Sequence, residues 1–479
     1  MRYPSNKQQL IELTIESIGF KGISIARNDG LVYFVKGGVP GDKMLAEIRR
    51  KRKRHIEAEI VELIEPSANR IEPKCKYFGA CGGCTWQNIS YGEQIRWKKQ
   101  QVIDAFRRIG KIEVGEIIDT IPAPQLFNYR NKMDFSFGAS RWLSSEEIQK
   151  DEDIDTKNFA LGLHIPGRYD KILDIDSCHI QAEEGNQVLR LFKQKALELN
   201  VAAYSEQTRK GFLRNLVLRF SRRDDEMMSI LVTNNPLLPE DDKFLNWYRY
   251  DFPSLFPNTA SIINAINADT NPVSFGKINF IEGKDFINEE ILSIEYKISP
   301  FSFFQTNSYQ LDTFIGKILE FAQLGTSETI WDLYCGIGSI TLPASHKCKQ
   351  IFGFELVESS IEDAQINAKL NNIENVQFKA LDLHSKNIYL YLDKYEIPDT
   401  IILDPPRNGM HQQLVQYILD LYPKKIVYVS CNPTTQARDC DLLSEKYNVI
   451  KIQPIDMFPH TYHIESIALL ERKHREFTK

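Results

Sequence analysis

The sequence has no long hydrophobic run, since no stretch approaches the roughly 18 consecutive apolar residues that a membrane-spanning helix needs. Its start, MRYPSNKQQL, lacks the basic and then apolar layout of a secretory signal peptide. No internal repeat or low-complexity tract stands out either. These absences argue against secreted and integral-membrane classes, and we expect a cytoplasmic protein with no membrane partner.

The composition is that of a chain that can bury a sizeable core. Of 479 residues, 42% are hydrophobic and 26% are charged, and at about 150 residues per domain this length predicts roughly three domains. The net charge is -5, but an unbroken basic run extends from Arg49 to Arg54 and is followed by His55. In a net acidic chain such a run favours an anionic polymer, with an ordinary solvated face as the alternative.

Residues 1–66 predict a small all-β module. Apolar and polar residues alternate over 13–18 and 56–62, and turn signals lie over 28–30 and 37–42. Short strands with regular turns favour a five-stranded barrel of the oligonucleotide-binding kind. The basic run precedes the last of these strands, so we expect it to line one side of the barrel.

Three of the eight cysteines are packed closely as Cys75-x5-Cys81-x2-Cys84. In a chain without an export signal the thiols should stay reduced, and such a group then indicates metal or cluster binding. The surrounding segment, residues 67–92, should need a ligand to hold its shape. We assign it, together with residues 125–290, to an α+β central domain.

Two further features lie in the central domain. The acidic stretch 146–155 predicts an exposed insertion. The alternation over 214–219, which has Arg214 and Arg219 at its ends, predicts a strand that presents cations on one face.

From about residue 296 apolar strands alternate with helices, as is typical of a doubly wound parallel sheet. Two last strands, 449–452 and 464–470, follow without a long helix between them, and this closing antiparallel pair is typical of methyltransferase sheets. We therefore predict a Rossmann-like class I methyltransferase sheet of seven strands, in a domain formed by residues 93–124 and 291–479. The strands that precede the closing pair are predicted at 329–333, 350–354, 376–380, 400–403 and 425–429.

The ends of the first three strands suit an adenosine-bearing ligand. After the first strand, Gly336-Ile337-Gly338 lets the backbone approach a ligand in the strand–helix crevice. Glu355 ends the second strand and can accept from both hydroxyls of a ribose, while Asp382 follows the third and can accept from an exocyclic amine. A bare G-x-G is not the full fingerprint for a pyrophosphate, so the set fits S-adenosylmethionine.

The ends of three other strands could carry the chemistry. The fourth strand ends in Asp-Pro-Pro-Arg at 404–407, where Arg407 replaces the aromatic residue of amino-group methyltransferases. The fifth strand runs into Cys431, which is well placed as a nucleophile, the alternative being a buried cysteine that acts as a small hydrophobe. Glu465 opens the last apolar strand, where burial would raise its pKa toward that of a useful general base.

Together these motifs resemble those of the RNA uracil-5-methyltransferases. The N-terminal module is similar to a TRAM domain, and the cysteines are similar to the iron–sulfur site of the 23S ribosomal RNA branch. The resemblance covers nearly the whole chain. Its ordered motifs are Phe304-Gln305-Thr306-Asn307, Tyr334-Cys335-Gly336-Ile337-Gly338, Asp404-Pro405-Pro406-Arg407, Ser430-Cys431-Asn432-Pro433 and His463-Ile464-Glu465.

The resemblance implies methyl transfer from S-adenosylmethionine to C5 of a uridine in 23S ribosomal RNA, with no DNA partner. Since C5 of uracil is a weak nucleophile, Cys431 would add to C6 to form an enolate, and Glu465 would later remove the C5 proton. The uridine should be turned out of its stack into the pocket. The residues implied to line the cofactor and uracil pocket are Gln305, Tyr334, Gly336, Ser339, Glu355, Asp382 and Asp404, of which Tyr334 and Ser339 replace the commoner Phe and Asn.

The cysteine group needs a fourth ligand, for which Cys178 is the best candidate because Cys335 and Cys431 belong to the catalytic sheet. On residue chemistry alone a four-thiolate zinc site and a cluster are comparable, and the resemblance favours a 4Fe–4S cluster. Methyl transfer is redox neutral, so we expect the cluster to fold the central domain and shape the RNA-contacting surface.

Two other functions stay open beside the leading one. A transfer RNA uracil-5-methyltransferase is the nearest, although such enzymes generally lack the TRAM-like module and the cysteine group. A non-catalytic RNA-binding protein that retains the fold is the other, and the intact pair of Cys431 and Glu465 speaks against it. An amino-group methyltransferase leaves unexplained why a cysteine ends the fifth strand.

Overall fold

The computed structural model describes residues 9–143, 157–269 and 273–473. The acidic stretch 146–155, predicted as an exposed insertion, lies outside these ranges. Within them the chain forms a small barrel, a central domain on a seven-stranded sheet and a C-terminal domain on an eight-stranded sheet. Among the described residues, no helix combines the length and the hydrophobicity that a membrane span requires.

The N-terminal barrel closes on itself, so it has no free sheet edge. Its core contains Leu13, Ile15, Val35, Met44 and Ala46, which alternate with outward-facing residues. The predicted five-stranded barrel is confirmed, and the basic run occupies the end of its fourth strand and the turn that follows. In the order β1-β2-β3-β5-β4, the strands are β1 (Leu10–Ile18), β2 (Ser24–Asn28), β3 (Leu31–Lys36), β4 (Lys43–Lys51) and β5 (Ile56–Glu65).

The segment after the cysteines belongs to the C-terminal domain in space. Helix α1 (Tyr91–Ala105) continues as a π-helical turn over Phe106–Gly110, and both pack into the core of that domain. The short strand β6 (Val114–Ile117) follows and joins the C-terminal sheet at its edge.

The central domain is built on a mixed sheet with the order β13-β12-β11-β10-β7-β8-β9. Helices α2 (Glu183–Glu198), α3 (Pro239–Asn246) and α4 (Phe252–Leu255) accompany it. Its strands are β7 (Lys132–Ser140), β8 (Lys157–Ile165), β9 (Arg168–Asp174), β10 (Leu213–Phe220), β11 (Met227–Thr233), β12 (Thr259–Ile266) and β13 (Lys277–Gly283).

Strand β10 forms as predicted, but it does not present cations to solvent. Arg214 and Arg219 are each only 4% exposed. Arg214 donates to the backbone oxygens of Asn267 (2.9 Å) and Asp269 (2.7 Å), and Arg219 donates to that of Ser302. The expectation of a cationic face is therefore wrong, because backbone carbonyl groups surround both guanidinium groups.

The C-terminal domain starts with the hairpin β14 (Ile287–Ile291) and β15 (Ile294–Ile298). The main sheet follows, with the order β18-β17-β16-β19-β20-β22-β21-β6. Its own strands are β16 (Thr329–Leu333), β17 (Gln350–Glu355), β18 (Val376–Ala380), β19 (Thr400–Leu403), β20 (Lys425–Ser430), β21 (Tyr447–Ile455) and β22 (Glu465–Arg472). The helices are α5 (Leu311–Ala322), α6 (Thr341–Ser345), α7 (Glu358–Leu370), α8 (Tyr389–Leu392), α9 (Gln412–Leu421) and α10 (Pro433–Leu443).

Apolar residues cover both faces of this sheet, as expected for a doubly wound fold. Ile330 packs into the cluster on one face and Trp331 into the cluster on the other. The predicted methyltransferase sheet is confirmed, but it has eight strands where the sequence predicted seven. The additional strand is β6, which pairs in parallel with β21.

Candidate active site

A cavity of about 920 Å3 lies over the carboxyl ends of the parallel strands and reaches the cysteine segment. It brings together most of the residues that the sequence predicted for catalysis, cofactor binding and ligation. Those that line it are Cys75, Cys81, Cys84, Cys178, Gln305, Tyr334, Gly336, Glu355, Asp404, Cys431 and Glu465. Ser339 and Asp382 lie outside this lining.

Cys431 and Glu465 are brought together by strand pairing. Strands β20 and β22 are antiparallel, and their register pairs Ser430 with Ser466. One further step of this register would place Cys431 opposite Glu465, and both residues line the cavity. Two side chains from distant parts of the sequence thus face one ligand space.

Helix α10 starts directly after Cys431. The side chain of Asn432 caps this helix by accepting from the backbone N–H of Thr434 (3.1 Å), and Pro433 takes the first helical position. The positive end of the helix dipole therefore lies beside the sulfur, where it favours a thiolate.

The electrostatic surroundings of Cys431 oppose that effect. Burial, together with the carboxylates of Glu465 and Asp404, raises the pKa of the Cys431 thiol to about 12. The Arg407 guanidinium acts in the opposite direction. In the free protein the sulfur is therefore a protonated thiol.

Glu465 and Asp404 form a pair of carboxyl groups with raised pKa values. Glu465 is 4% exposed, and burial raises its pKa well above the usual value, with a further increase from Asp404 and an opposing effect of Arg407. Burial raises the pKa of Asp404 to about 7. Asp404 can therefore exchange protons near neutral pH.

Arg407 is the functional residue that the sequence interpretation noted but did not assign. Its backbone oxygen accepts from Asn432 Nδ2 (2.9 Å), which fixes the loop after β19 against the start of α10. Its guanidinium lies near His463 Nδ1 (3.4 Å). Burial, with a contribution from Arg407, lowers the pKa of His463 to about 4, so this imidazole is neutral at pH 7. The signal in the sequence was an arginine directly after the two prolines.

The opposite end of the cavity is shaped by the loop after β16. Tyr334 has a left-handed backbone (φ 68°), and its N–H donates to the oxygen of Phe354 (2.8 Å). Glu355 accepts from the N–H of Gly336 (3.2 Å) and from those of Leu356 (2.8 Å) and Val357 (3.0 Å). Glu355 thereby holds two strand–helix turns together at the mouth of the crevice.

Two features of this loop leave room and a hydrogen-bond donor for a ligand. A Cβ atom added at Gly336 would meet nothing within 4 Å, so the space beside that backbone is open. The Tyr334 hydroxyl is buried without a hydrogen-bond partner among the described residues. A buried hydroxyl of this kind is costly unless a ligand pairs with it.

Comparisons with known proteins agree with this geometry. The model of the tRNA (uracil-5-)-methyltransferase family matches residues 274–473. An uncharacterized RNA methyltransferase of Bacteroides thetaiotaomicron is 40% identical over 94% of this chain and 99% of its own. Another from Chlorobaculum tepidum is 37% identical over 97% of both chains. The chain belongs to the RNA uracil-5-methyltransferase family.

A solved structure is similar to this methyltransferase over almost its whole length. It is the Pyrococcus abyssi tRNA (uracil-54, C5)-methyltransferase in complex with S-adenosyl-L-homocysteine. Its sequence is 28% identical, and the superposition covers 96% of this chain and 100% of that chain with a TM-score of 0.72. The likeness therefore extends beyond the catalytic sheet to the N-terminal and central parts of the enzyme.

Two predicted cofactor residues of the methyltransferase are not in the cavity. The Asp382 side chain is 53% exposed and accepts from the N–H of His384 (2.8 Å). Ser339 is half-buried in the turn before α6. The neighbours Leu381, Leu383 and His384 line the cavity in place of Asp382.

The four cysteines lie at the far end of the cavity. Burial raises the pKa of Cys84 to about 12 and that of Cys178 to about 11, and in each case the other thiols of the group contribute. Cys178 is distant in sequence from the other three cysteines, but the fold brings the two segments together. Asp176 binds Lys76 Nζ (2.8 Å) and Tyr77 Oη (2.9 Å). Within the described ranges, no group of three or more His, Cys, Asp or Glu side chains has the geometry to hold a metal ion.

The cysteine segment is also bonded to the loop that leads to Glu465. The N–H groups of Thr85 and Trp86 both donate to the oxygen of His460 (2.9 Å each), and the N–H of Tyr462 donates to Thr85 Oγ1 (3.2 Å). The sequence could not show this contact, because nearly the whole chain separates the two segments. The cysteine segment is thus hydrogen-bonded directly to the loop that precedes Glu465.

A buried ion pair anchors the same loop. Lys98 Nζ on α1 lies 2.5 Å from Asp456 Oδ1, and neither side chain is exposed to solvent. The other carboxylate oxygen of Asp456 accepts from Tyr91 Oη (2.9 Å). Asp456 Oδ1 also accepts from the N–H of Phe458 (3.0 Å), while Lys98 donates to the Phe458 oxygen (3.0 Å).

Proposed function

We propose that this protein transfers the methyl group of S-adenosylmethionine to C5 of a uridine in 23S ribosomal RNA, in the cytoplasm, through a covalent bond between Cys431 and C6. One observation carries the proposal. Cys431 and Glu465 line the same cavity, each one residue beyond the paired Ser430 and Ser466. A nucleophile and a base on one ligand space are what addition to C6 and proton removal from C5 require.

The surrounding carboxyl groups account for the protons. The Cys431 thiol gives its proton to Asp404, whose pKa of about 7 allows it to accept, and the sulfur then forms a bond to C6. The electron pair of the C5–C6 bond makes C5 the nucleophile, and bound S-adenosylmethionine supplies an electrophilic methyl group. Glu465 then takes the C5 proton, the C5–C6 double bond forms again, and the C6–S bond breaks to release the Cys431 thiolate.

The positive charge of Arg407 suits the steps in which Cys431 is a thiolate. Its guanidinium lowers the pKa of both the Cys431 thiol and Glu465. It therefore stabilises the thiolate as the proton leaves and again when the sulfur is expelled.

The cofactor would lie at the other end of the cavity. The open space beside Gly336 and the unpaired hydroxyl of Tyr334 suit a ligand with polar edges. Glu355 and Gln305 line the same space. The similar Pyrococcus abyssi enzyme was solved with S-adenosyl-L-homocysteine, which supports S-adenosylmethionine here.

The resemblance of the cysteine group to the iron–sulfur site of the 23S branch supports a 4Fe–4S cluster here. Four thiols converge on one end of a cavity, which matches the four cysteine ligands of such a cluster. A zinc ion bound by the same four sulfurs is the alternative. Bound there, the cluster would supply a rigid anchor for the cysteine segment and for the RNA-contacting surface.

The barrel and its basic run favour a structured RNA as the substrate. Arg49 and Arg52 pair with glutamates of β4 and β5, while no ion pair involves Arg50, Lys51, Lys53 or Arg54 among the described residues. These cations suit phosphate contacts, and with the cysteine group they support the 23S branch and a TRAM-type module. A transfer RNA substrate is the second candidate, because the similar Pyrococcus abyssi enzyme acts on uracil-54 of tRNA.

Methyl transfer from labelled S-adenosylmethionine tests the proposal. Ribosomal RNA and tRNA are isolated separately from a strain that lacks the gene, and each is offered to the purified enzyme. We expect label in 23S RNA, as 5-methyluridine at a position that mass spectrometry maps. Label in tRNA alone would favour the second candidate, and RNA binding without label would favour a non-catalytic protein.

A further inference from the structure

A second cleft opens on the barrel side of the catalytic cysteine. It has a volume of about 280 Å3 and shares Cys431, Arg407 and His463 with the main cavity. Its other walls are the turn between β1 and β2, the end of α1 with its π-helical turn, and the start of α10. Two cavities thus meet at the nucleophile.

We propose that this cleft binds the nucleotide next to the target uridine, with its base stacked on Phe20. The inference rests on the proposed function, since it requires RNA at Cys431. A uracil held between Cys431 and Glu465 remains attached to its strand, so an adjacent nucleotide lies within one backbone unit. The cleft begins at the same sulfur and extends toward the barrel, which gives that nucleotide a place to lie.

Phe20 provides a surface for stacking. It is 53% exposed at the tip of the β1–β2 turn, and Ile109 on the other wall is 47% exposed. Exposed aromatic rings beside a cationic groove are a recurring way to bind unpaired nucleotides. The cleft is large enough for one base, and apolar side chains on both sides can cover its two faces.

The charge of the cleft suits a phosphate backbone. Lys21, Arg108 and Arg407 line it, and Asp104 is the carboxylate among its described lining residues. Asp104 lies 3.5 Å from Arg108, and Lys21 Nζ lies 5.6 Å from the centre of the Phe20 ring. The lining therefore carries a positive surplus beside the stacking surface.

The turn that carries Phe20 is fixed against the catalytic loop. Gly22 has φ of 73°, and a Cβ atom added there would lie 2.8 Å from Tyr462 Cβ. The Gly22 oxygen accepts from Trp86 Nε1 (3.5 Å). Only glycine allows this close approach, so Phe20 is held beside the cleft before any ligand binds.

Steady-state methylation of in vitro transcribed 23S RNA tests the proposal. Since stacking of one base on an aromatic side chain is worth roughly a tenfold change in affinity, Phe20→Ala should raise KM for RNA by about that factor and leave kcat and KM for S-adenosylmethionine unchanged. Phe20→Tyr keeps a ring and should behave as wild type. Leu31→Ala is the matched control, because Leu31 is 52% exposed at the start of β3, and the turn before it lies at the other end of β2 from Phe20.

A crosslinking experiment locates the nucleotide. Once the target is mapped, synthetic RNA carries 4-thiouridine at the position on either side of it. We expect crosslinks to residues 18–25. Crosslinks elsewhere together with an unchanged KM in Phe20→Ala would overturn the inference. The cleft would then be free to bind a different ligand, such as a protein. Absence of methyl transfer by the wild type would instead overturn the proposed function, and this inference with it.

Discussion

Cys431 and Glu465 stand opposite each other one step beyond the last pair of the β20–β22 ladder, where Ser430 faces Ser466. Strand register, rather than a flexible loop, therefore sets their relative position. Apolar residues of β20 and β22 pack into the cores on both faces of the sheet. The sulfur and the carboxyl group at the ends of these strands are therefore held in place before substrate binds. The predictions below follow from this arrangement and from the groups that surround it.

Alkylation of Cys431 should depend steeply on pH. The thiolate is the reactive form, and a pKa raised to about 12 means that its population grows with pH throughout the accessible range. We expect the iodoacetamide rate at Cys431, followed by peptide mass spectrometry, to rise roughly tenfold per pH unit between about pH 7 and 10. A plateau within this range would contradict the raised pKa.

Substitution of Arg407 should slow that alkylation. The positive charge of Arg407 lowers the pKa of the Cys431 thiol, so Arg407→Gln should raise that pKa further and reduce the rate at fixed pH by roughly tenfold. At a pH high enough to ionise Glu465, Glu465→Gln removes a neighbouring negative charge and should act in the opposite direction. If both variants changed the rate in the same direction, the electrostatic account of the site would be wrong.

Loss of Lys98 should destabilise the protein strongly. Lys98→Met leaves Asp456 buried without its ion-pair partner, which typically costs about 3–5 kcal/mol. Urea unfolding measures the effect. The double variant Lys98→Met with Asp456→Asn should lose less than the sum of the single changes, and strict additivity would show that the pair is not coupled.

A side chain at Gly336 should weaken cofactor binding. Gly336→Ala places a methyl group in the open space that lines the cavity, so calorimetry should show at least a roughly tenfold weaker affinity for S-adenosylhomocysteine. Gly30→Ala is the matched control. Gly30 also has a positive φ (75°) and open space around its Cβ position, but it lies on the barrel. If both variants lost the same affinity for S-adenosylhomocysteine, backbone strain rather than occlusion of the cavity would be the cause.

The cysteine site can be tested by metal analysis. After anaerobic purification we expect about four iron atoms and four sulfides per chain, with most of the iron lost in Cys178→Ala. Cys348→Ala, which changes a buried cysteine outside the cavity, should retain it. Stoichiometric zinc without iron would refute the cluster.

Much of this molecule could be predicted because its signals are local. The strands β16, β18 and β19 have the bounds that apolar runs predicted. Strand β6 could not be predicted, because Val-Gly-Glu-Ile has no clear periodicity and its partner β21 lies far along the chain. The burial of Arg214 and Arg219 depends likewise on carbonyl groups from other segments.

In the candidate site, too, local signals were predictable and contacts between distant segments were not. Motifs at strand ends predicted that Cys431, Asp404 and Glu355 would share an edge, because carboxyl ends of parallel strands meet there. The contribution of Arg407 to the charge balance emerged only when its guanidinium was placed beside the sulfur. The hydrogen bond between Thr85 and His460 could not be predicted either, since no local pattern encodes it.

The central claim is that the Cys431 sulfur bonds to the pyrimidine during methyl transfer. The most direct measurement uses Glu465→Gln with labelled substrate RNA and S-adenosylmethionine, followed by denaturing electrophoresis and mass spectrometry of the protein. We predict a stable protein–RNA adduct at Cys431, because the C5 proton cannot leave, and no adduct when Cys431→Ala is added. Undiminished methylation by the Cys431→Ala enzyme would contradict the account.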